Sequence, residues 1–268
     1  QSAVSMQIKR VEEVLGCDVL DRSARKVGLT AEGEQLLGYA RKMLALNDEA
    51  FHRLTTDVHE GEIVLGVPHD IVYPAIPQVL RRFAKEYPKM KVTLLSSFTR
   101  VLKAQFARGE CDVILTTEVG VDPEGETIAE LPLVWVGAPQ GASWKSRPLR
   151  LAYEHNCIFR QGVQAALDRA GIPWEMAVES DSTRTVEASV SADLAVHTVL
   201  AGSEPPYVER INHGGALPDL STMKVNLYVA QPAHSHTIQA MAEMIRRAYA
   251  QGKGRAVVQE RELRVVQS

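Results

Sequence analysis

The chain has 268 residues, 45% hydrophobic and 24% charged, which is ordinary for a globular protein and leaves room for one large domain or two modest ones. A uniformly basic nucleic-acid binder would be more positive than the net charge of -3, but a small basic reader joined to an acidic domain would average to this value. Three widely spaced cysteines (Cys17, Cys111 and Cys157) with no CxxC pair exclude a disulfide framework and a structural zinc site and fit a reducing cytosol, and no apolar run approaches membrane-spanning length.

The opening QSAVSMQIKR has no signal-peptide character. Val4, Ile8, Val11 and Leu15 follow the helical spacing of 4, 3 and 4, so a helix is predicted over 1–15, with Gly16 as its C-cap. No capping residue precedes it, and the chain is expected to begin inside a domain. The turn CDVLDRSARKVGLT follows, with Val19 and Leu20 as an apolar anchor. Arg22, Arg25 and Lys26 cluster there, before a short strand at Val27–Leu29. This is the outline of a helix followed by a basic β-wing.

Thr30 suits the N-cap of the next helix, and no proline interrupts the chain from there to about His59. Leu37, Ala40, Leu44, Asn47, Phe51, Leu54 and Val58 alternate by 3 and 4, the heptad seam of a helix that pairs with another helix. Asn47 on that seam would set register and partner number at some cost in stability. The alternative is a single amphipathic helix packed on its own domain.

An α/β rhythm begins at Gly61. Strands are expected at 62–67, 90–95, 111–116 and 133–138, with an amphipathic helix on Ile76, Val79, Leu80, Phe83 and Tyr87 and another over Thr99 to Arg108. A second unit follows: a strand at 149–153, a helix at 160–170, a strand at 175–180, a helix at 182–190 and a strand-like stretch at 193–200. The strand 225–230 and the helix 235–250 are expected to return to the first unit. Strands alternating with helices imply parallel pairing in a sheet covered on both faces. The tail from Gln251 is charged and weakly patterned and is expected to be partly loose.

QSAVSMQIKRVEEVLG followed by LDRSARKVGLTAEGEQLLGYARKML resembles the signature of the LysR-type bacterial transcription regulators. The family pattern is a recognition helix Q-x-A-V-S-x-Q-I-x-x-L-E-x-x-L-G and then a wing ending in L-T-x-A-G. GECDVILTT resembles the family's G-x-x-D-x-x-I segment, and the likeness extends along nearly the whole chain. ADLAVHTVL stands where the family has A-G-x-G-V-x-x-x-P, replacing its glycines and proline. Within the family, LLGYARKMLALNDEAF and AGIPWEMA resemble the branch of the regulators LrhA and HexA, while VPHDIVYPAIP and LVWVGA suggest a related rhizobial and brucella branch.

The resemblance implies an α/β fold: a two-lobed, periplasmic-binding-protein-like effector domain preceded by a partial winged helix-turn-helix and a long dimerisation helix. The expected divisions are 1–30 for the DNA reader, 31–60 for the dimerisation helix, 61–139 for the first lobe, 140–205 for the second, 206–250 for the return and 251–268 for the tail. Such a regulator binds double-stranded promoter DNA, a small effector and further copies of itself as a dimer or dimer of dimers, with RNA polymerase as another candidate partner. No cofactor, metal or membrane is implied.

By that resemblance Gln1, Ser2, Ser5 and Gln7 face the major groove, where short hydroxyls and amides bond base edges and phosphates. Lys9, Arg10, Arg22, Arg25 and Lys26 would take phosphates and make affinity salt-dependent. Without the family match, a solvated surface is the simpler reading of these charges.

In open α/β sheets ligands bind outside the carboxyl ends of the strands. Those ends carry His69 and Asp70, then Ser96, Ser97, Thr99 and Arg100, then Phe159 and Arg160, then Ser182 and Thr183. Helix N-termini with hydroxyl donors attract anions, and Arg100 and Arg160 would clamp a carboxylate, so an anionic effector is expected. The alternative makes the hydroxyls ordinary N-caps and the arginines solvated. Cys157 would sense redox state if Arg160 lowered its pKa.

His69–Asp70 has no nucleophile motif beside it, and no GxSxG, GxGxxG or Walker pattern occurs, so catalysis is not expected. A solute-binding protein with the same two lobes is the competing reading, and the wing and seam over 1–60 argue against it.

Overall fold

The computed structural model describes residues 2–21, 28–55, 61–230 and 236–265, and the side chains at 4–21, 28–44, 46–47, 61–230 and 236–250. Helix α1 (Ser2–Leu15) ends as its sequence requires: Gly16 takes φ 70° and donates its N–H to the Glu12 carbonyl at 2.9 Å. Two short strands follow, β1 (Leu20–Asp21) and β2 (Gly28–Leu29), paired antiparallel. The Glu12 carboxylate is 7% exposed and accepts the N–H groups of Val19 and Leu20 at 3.0 and 3.2 Å, tying α1 to the turn.

Thr30 caps helix α2 (Ala31–Thr55), accepting the Gly33 N–H at 3.0 Å. A Cβ at Gly33 would stand 2.0 Å from the Val19 carbonyl oxygen, so only glycine lets α2 start against the turn. The exposed apolar stripe of α2 differs from the expected seam. Leu37 and Ala40 are half-buried, while Tyr39, Met43, Leu44 and Leu46 are exposed. Phe51 and Leu54 have no described side chain, and Val58 lies outside the described residues. On its other side α2 meets the first lobe: Arg41 Nη1 lies 2.8 Å from Glu110 Oε1.

The first lobe alternates strands and helices: β3 (Gly61–Pro68), α3 (Ala75–Glu86), β4 (Met90–Ser97), α4 (Thr99–Ala107), β5 (Val113–Glu118) and β6 (Gly125–Gly137). Ile76, Val79 and Phe83 bury one face of α3 on the sheet. Leu102 of α4 packs on β3, and a Cβ at Gly66 would meet the Leu102 and Ile114 side chains within about 3.0 Å. Burying four large apolar side chains of this kind contributes roughly 1.5–3 kcal/mol each.

The second lobe comprises β7 (Leu149–Glu154), α5 (Arg160–Arg169), β8 (Trp174–Ser180), α6 (Thr183–Ser191), β9 (His197–Leu200) and β10 (Glu209–Arg210). The chain returns through β11 (Thr222–Val229) and α7 (His236–Val265). Helix α7 buries Met241, Ala242 and Ile245 and continues through the stretch expected to be loose. His236 opens α7, with its Nδ1 3.3 Å from the Tyr87 hydroxyl.

The sheet order is β10-β6-β11-β5-β3-β4, with β9 also on β6. The expectation of parallel pairing holds for β3 with β4 and β5, and for β7 with β8. It fails for the returning strand and where the lobes join: β11 pairs antiparallel with β5, and β6 pairs antiparallel with β11 through Pro132 and with β9 and β10 from Leu133 onward. One long strand therefore serves both lobes on its way out, and its neighbours are the strands coming back, which reverses their direction. Asp193 takes φ 58°, a left-handed backbone that favours glycine. Its carboxylate accepts the N–H groups of Ala142 and Ser143 at 2.9 and 3.1 Å, which offsets the left-handed backbone.

Candidate functional site

The carboxyl ends of β3, β4 and β7 and the first turns of α4 and α5 converge on a cleft of about 1730 Å³ between the lobes. This is where doubly wound sheets open, because each strand end hands the chain to a helix on one face and leaves a gap. The first-lobe wall carries His69, Asp70, Ser96, Thr99, Arg100 and Thr117. The second-lobe wall carries Glu154, Cys157, Phe159, Arg160, Thr183 and His197.

His69 Nδ1 lies 2.8 Å from Ser96 Oγ, with the Phe98 ring edge-on at 5.3 Å between centroids. Burial holds the His69 imidazole below its ordinary pKa, while the charge of Glu154 opposes that shift. The Thr99 hydroxyl accepts the Thr117 N–H at 3.1 Å and faces the Thr117 carbonyl oxygen at 3.3 Å, so it serves the joint between α4 and β5. His197, 6% exposed, donates Nδ1–H to the Ala152 carbonyl at 2.7 Å and lies 4.6 Å from the Tyr153 ring. Burial lowers its pKa as well.

Asp70 sits deepest. Its Oδ2 is buried without a hydrogen-bond partner, and burial, reinforced by the charge of Glu154, pushes its pKa up to about 6. Glu154 is 4% exposed, lines the cleft, and makes no side-chain hydrogen bond among the described residues.

Of the residues expected here, His69, Asp70, Ser96, Thr99, Arg100, Phe159, Arg160, Thr183 and Cys157 line the cleft, and Ser97 and Ser182 do not. Ser97 follows Ser96 on a strand whose side chains alternate between faces. Ser182 is exposed at the N-cap of α6, where its backbone N–H donates to Ser180 Oγ at 3.1 Å. Phe159 is buried among core side chains and supplies shape.

Two expectations are corrected. Arg160 Nη2 lies 2.6 Å from Glu179 Oε1, so this arginine is held by its own lobe, whereas Arg100 is exposed with no ion pair among the described residues. Cys157 is not an activated thiol: burial, then the neighbouring Glu154 and Asp70, push its pKa well above the usual thiol range. The Arg160 guanidinium is turned to Glu179, and only the backbone N–H groups of Phe159 and Arg160 oppose the rise.

Glu154 and His197 were missed. Glu154 follows LRLAY directly and stands at a strand end, as His69 does, so carrying the strand one residue further finds it. His197 lies inside an apolar run, and nothing local distinguishes it from a core residue.

On the DNA side, Ser5, Gln7, Lys9 and Arg10 are exposed on α1, and Ser2 begins it without a described side chain. Gln1, Arg22, Arg25 and Lys26 lie outside the described residues. No helix among the described residues is long and apolar enough to cross a membrane.

The family model described as "LysR substrate binding domain" matches residues 56–250, and that described as "Bacterial regulatory helix-turn-helix protein, lysR family" matches residues 1–34. The chain is 29% identical over 248 residues to the HTH-type transcriptional regulator DgdR of Burkholderia cepacia, covering 92% of this chain and 84% of that protein. It is 26% identical over 239 residues to the HTH-type transcriptional regulator PecT of Dickeya dadantii, covering 89% and 75%. Full-length LysG from Corynebacterium glutamicum, solved with bound effector arginine, has the same fold at a TM-score of 0.68 and 16% identity over 93% of this chain and 88% of that one. With a helix-turn-helix segment at one end and a two-lobed effector domain over most of its length, the chain belongs to the LysR family of DNA-binding transcriptional regulators.

Proposed function

We propose that this cytoplasmic regulator changes its oligomer arrangement, and so its grip on promoter DNA, when a small effector with a carboxylate binds between the lobes. One observation carries the reading: α4 touches both ends of the signal path. Its first turn, with Thr99 and Arg100, lines the cleft, and the chain leaving its last turn meets α2 through Arg41 and Glu110. Backbone contact supports the same junction, because a Cβ at Gly38 would lie 3.5 Å from the Ala107 carbonyl oxygen. A ligand that draws the lobes together by way of Arg100 biases a rigid helix that abuts α2. The stripe of Tyr39, Met43 and Leu46 suits pairing of α2 with a second copy, as a dimer or dimer of dimers. The small-molecule effector of LysG accords with this use of the cleft.

Ser5, Gln7, Lys9 and Arg10 with Ser2 and Gln1 read and grip the groove in this scheme, with Arg22, Arg25 and Lys26 on flanking phosphates. The test is a gel shift of the gene product on DNA upstream of its own gene, with and without small carboxylates. We expect salt-dependent, sequence-selective binding whose mobility or affinity changes with ligand. In Arg41→Ala, DNA and ligand should each still bind, while the effect of one on the other falls. Full coupling in Arg41→Ala would refute the α4 route, and loss of salt-dependent DNA binding would refute the regulator reading of the exposed α1 face.

A further inference from the structure

Asp70 and Glu154 make the floor of the cleft acidic, and no lysine or arginine pairs with either among the described residues. Glu154 ends β7 at 4% exposure, lines the cleft, and makes no side-chain hydrogen bond among the described residues. Asp70 stands near enough for the two charges to act on each other, and its Oδ2 is buried with no partner. Buried carboxyl oxygens are ordinarily paired, because leaving one unpaired costs its full desolvation. The neighbours do not supply that pairing. Thr117 reaches Asp70 with a hydroxyl, a neutral donor. His197 commits Nδ1 to a backbone carbonyl, and both His197 and His69 are held toward the neutral form. Arg160 is turned to Glu179 at 2.6 Å. Cys157, between β7 and α5, and Tyr249 of α7, both close enough to feel the charge of Asp70, carry no positive charge.

We propose that Asp70 and Glu154 form a cation subsite that receives the ammonium group of the effector. The proposal rests on the interlobe cleft being the effector site and names the chemistry of its inner end. With Arg100 free at the mouth, a ligand bearing both an ammonium and a carboxylate, the amino-acid class, satisfies both ends at once. An ammonium presents three donors, enough for two carboxyl groups and a neighbouring hydroxyl. Opposite charges brought together away from water attract far more strongly than at the surface, which returns the cost of holding two bare carboxyls there. Binding of the cation also draws a proton off Asp70, so affinity rises as pH passes through the titration of that group.

The experiment is a thermal-shift and calorimetric titration of the full chain with three probe series: the common L-amino acids, short straight-chain carboxylates that lack the amine, and short primary amines. Wild type, Asp70→Asn, Glu154→Gln and Arg100→Ala are compared, and the two amide variants keep the volume of the side chains they replace. The expected result is a shift with at least one amino acid, no shift with the matched amine-free acid, and affinity lowered about tenfold or more in each amide variant. The amide variants should keep or raise their own melting temperature, which separates lost binding from lost folding. A response to amine-free carboxylates that the amide variants leave intact overturns the cation subsite while the effector cleft stands. A flat response to every amine-bearing probe also overturns the subsite. If the carboxylates fail as well, the carboxylate-effector reading of the cleft falls with it.

Discussion

Arg160 and Glu179 stand 2.6 Å apart across the start of α5 and the end of β8, and this contact makes one of two equivalent-looking arginines a structural element. Arg100→Ala should therefore weaken a carboxylate effector by roughly 1.5–3 kcal/mol, the value of a hydrogen bond to a charged group. Glu179→Ala should change unfolding free energy by no more than about 1 kcal/mol, because the pair is partly exposed. Ligand titration and urea unfolding check the two figures. A greater affinity loss in Arg160→Ala than in Arg100→Ala would reverse the assignment.

Asp70 gives a pH signature in the unliganded protein. Its folded-state pKa of about 6 lies above the ordinary 3.8, so the folded protein binds more protons than the unfolded chain between those values. Stability from this group is fully present below pH 3.8 and is lost as pH rises through about 6. The span is about 3 kcal/mol, from roughly two pKa units at 1.36 kcal/mol each. Asp70→Asn should flatten that part of the stability curve and raise stability at neutral pH. A curve with the same slope in wild type and variant would show that the carboxyl is not buried as described.

Cys157 should resist chemistry. With its pKa raised by burial and by two acidic neighbours, little thiolate forms at neutral pH. Native alkylation with iodoacetamide should label Cys157 far more slowly than the unfolded chain does, and mild peroxide should leave DNA binding unchanged in wild type and Cys157→Ser alike. Rapid selective labelling of Cys157 would restore the redox reading.

Gly33→Ala should disable DNA binding and spare ligand binding. The new Cβ would lie 2.0 Å from the backbone oxygen of Val19, and a carbonyl cannot rotate away as a side chain can. The α1–wing–α2 joint must open, while the effector domain keeps its own core. Gel shift and thermal shift on the same preparation read the two halves, and intact DNA binding would contradict the close approach.

Local pattern was legible in the chain because its causes are local. The 4-3-4 spacing of Val4, Ile8, Val11 and Leu15, the Thr30 cap, the Gly16 stop and the family signature named α1, the start of α2 and the class of protein before any tertiary contact was considered. The strand-end rule also found most of the cleft, since it depends on where strands stop. What tertiary structure decided is which of these groups is free. Arg160 and Arg100 are alike in sequence, and only the packing of β8 beside α5 occupies the first. Ser96 and Ser97 are adjacent, and only the pleat of β4 turns one toward the cleft. Asp193 takes a left-handed backbone without being glycine, and only the 141–143 loop folded against it provides the two N–H groups that hold it. Burial and pairing are set by residues tens of positions away, so the charge, exposure and chemistry of Asp70, Glu154 and Cys157 came from the fold and not from their neighbours in the chain.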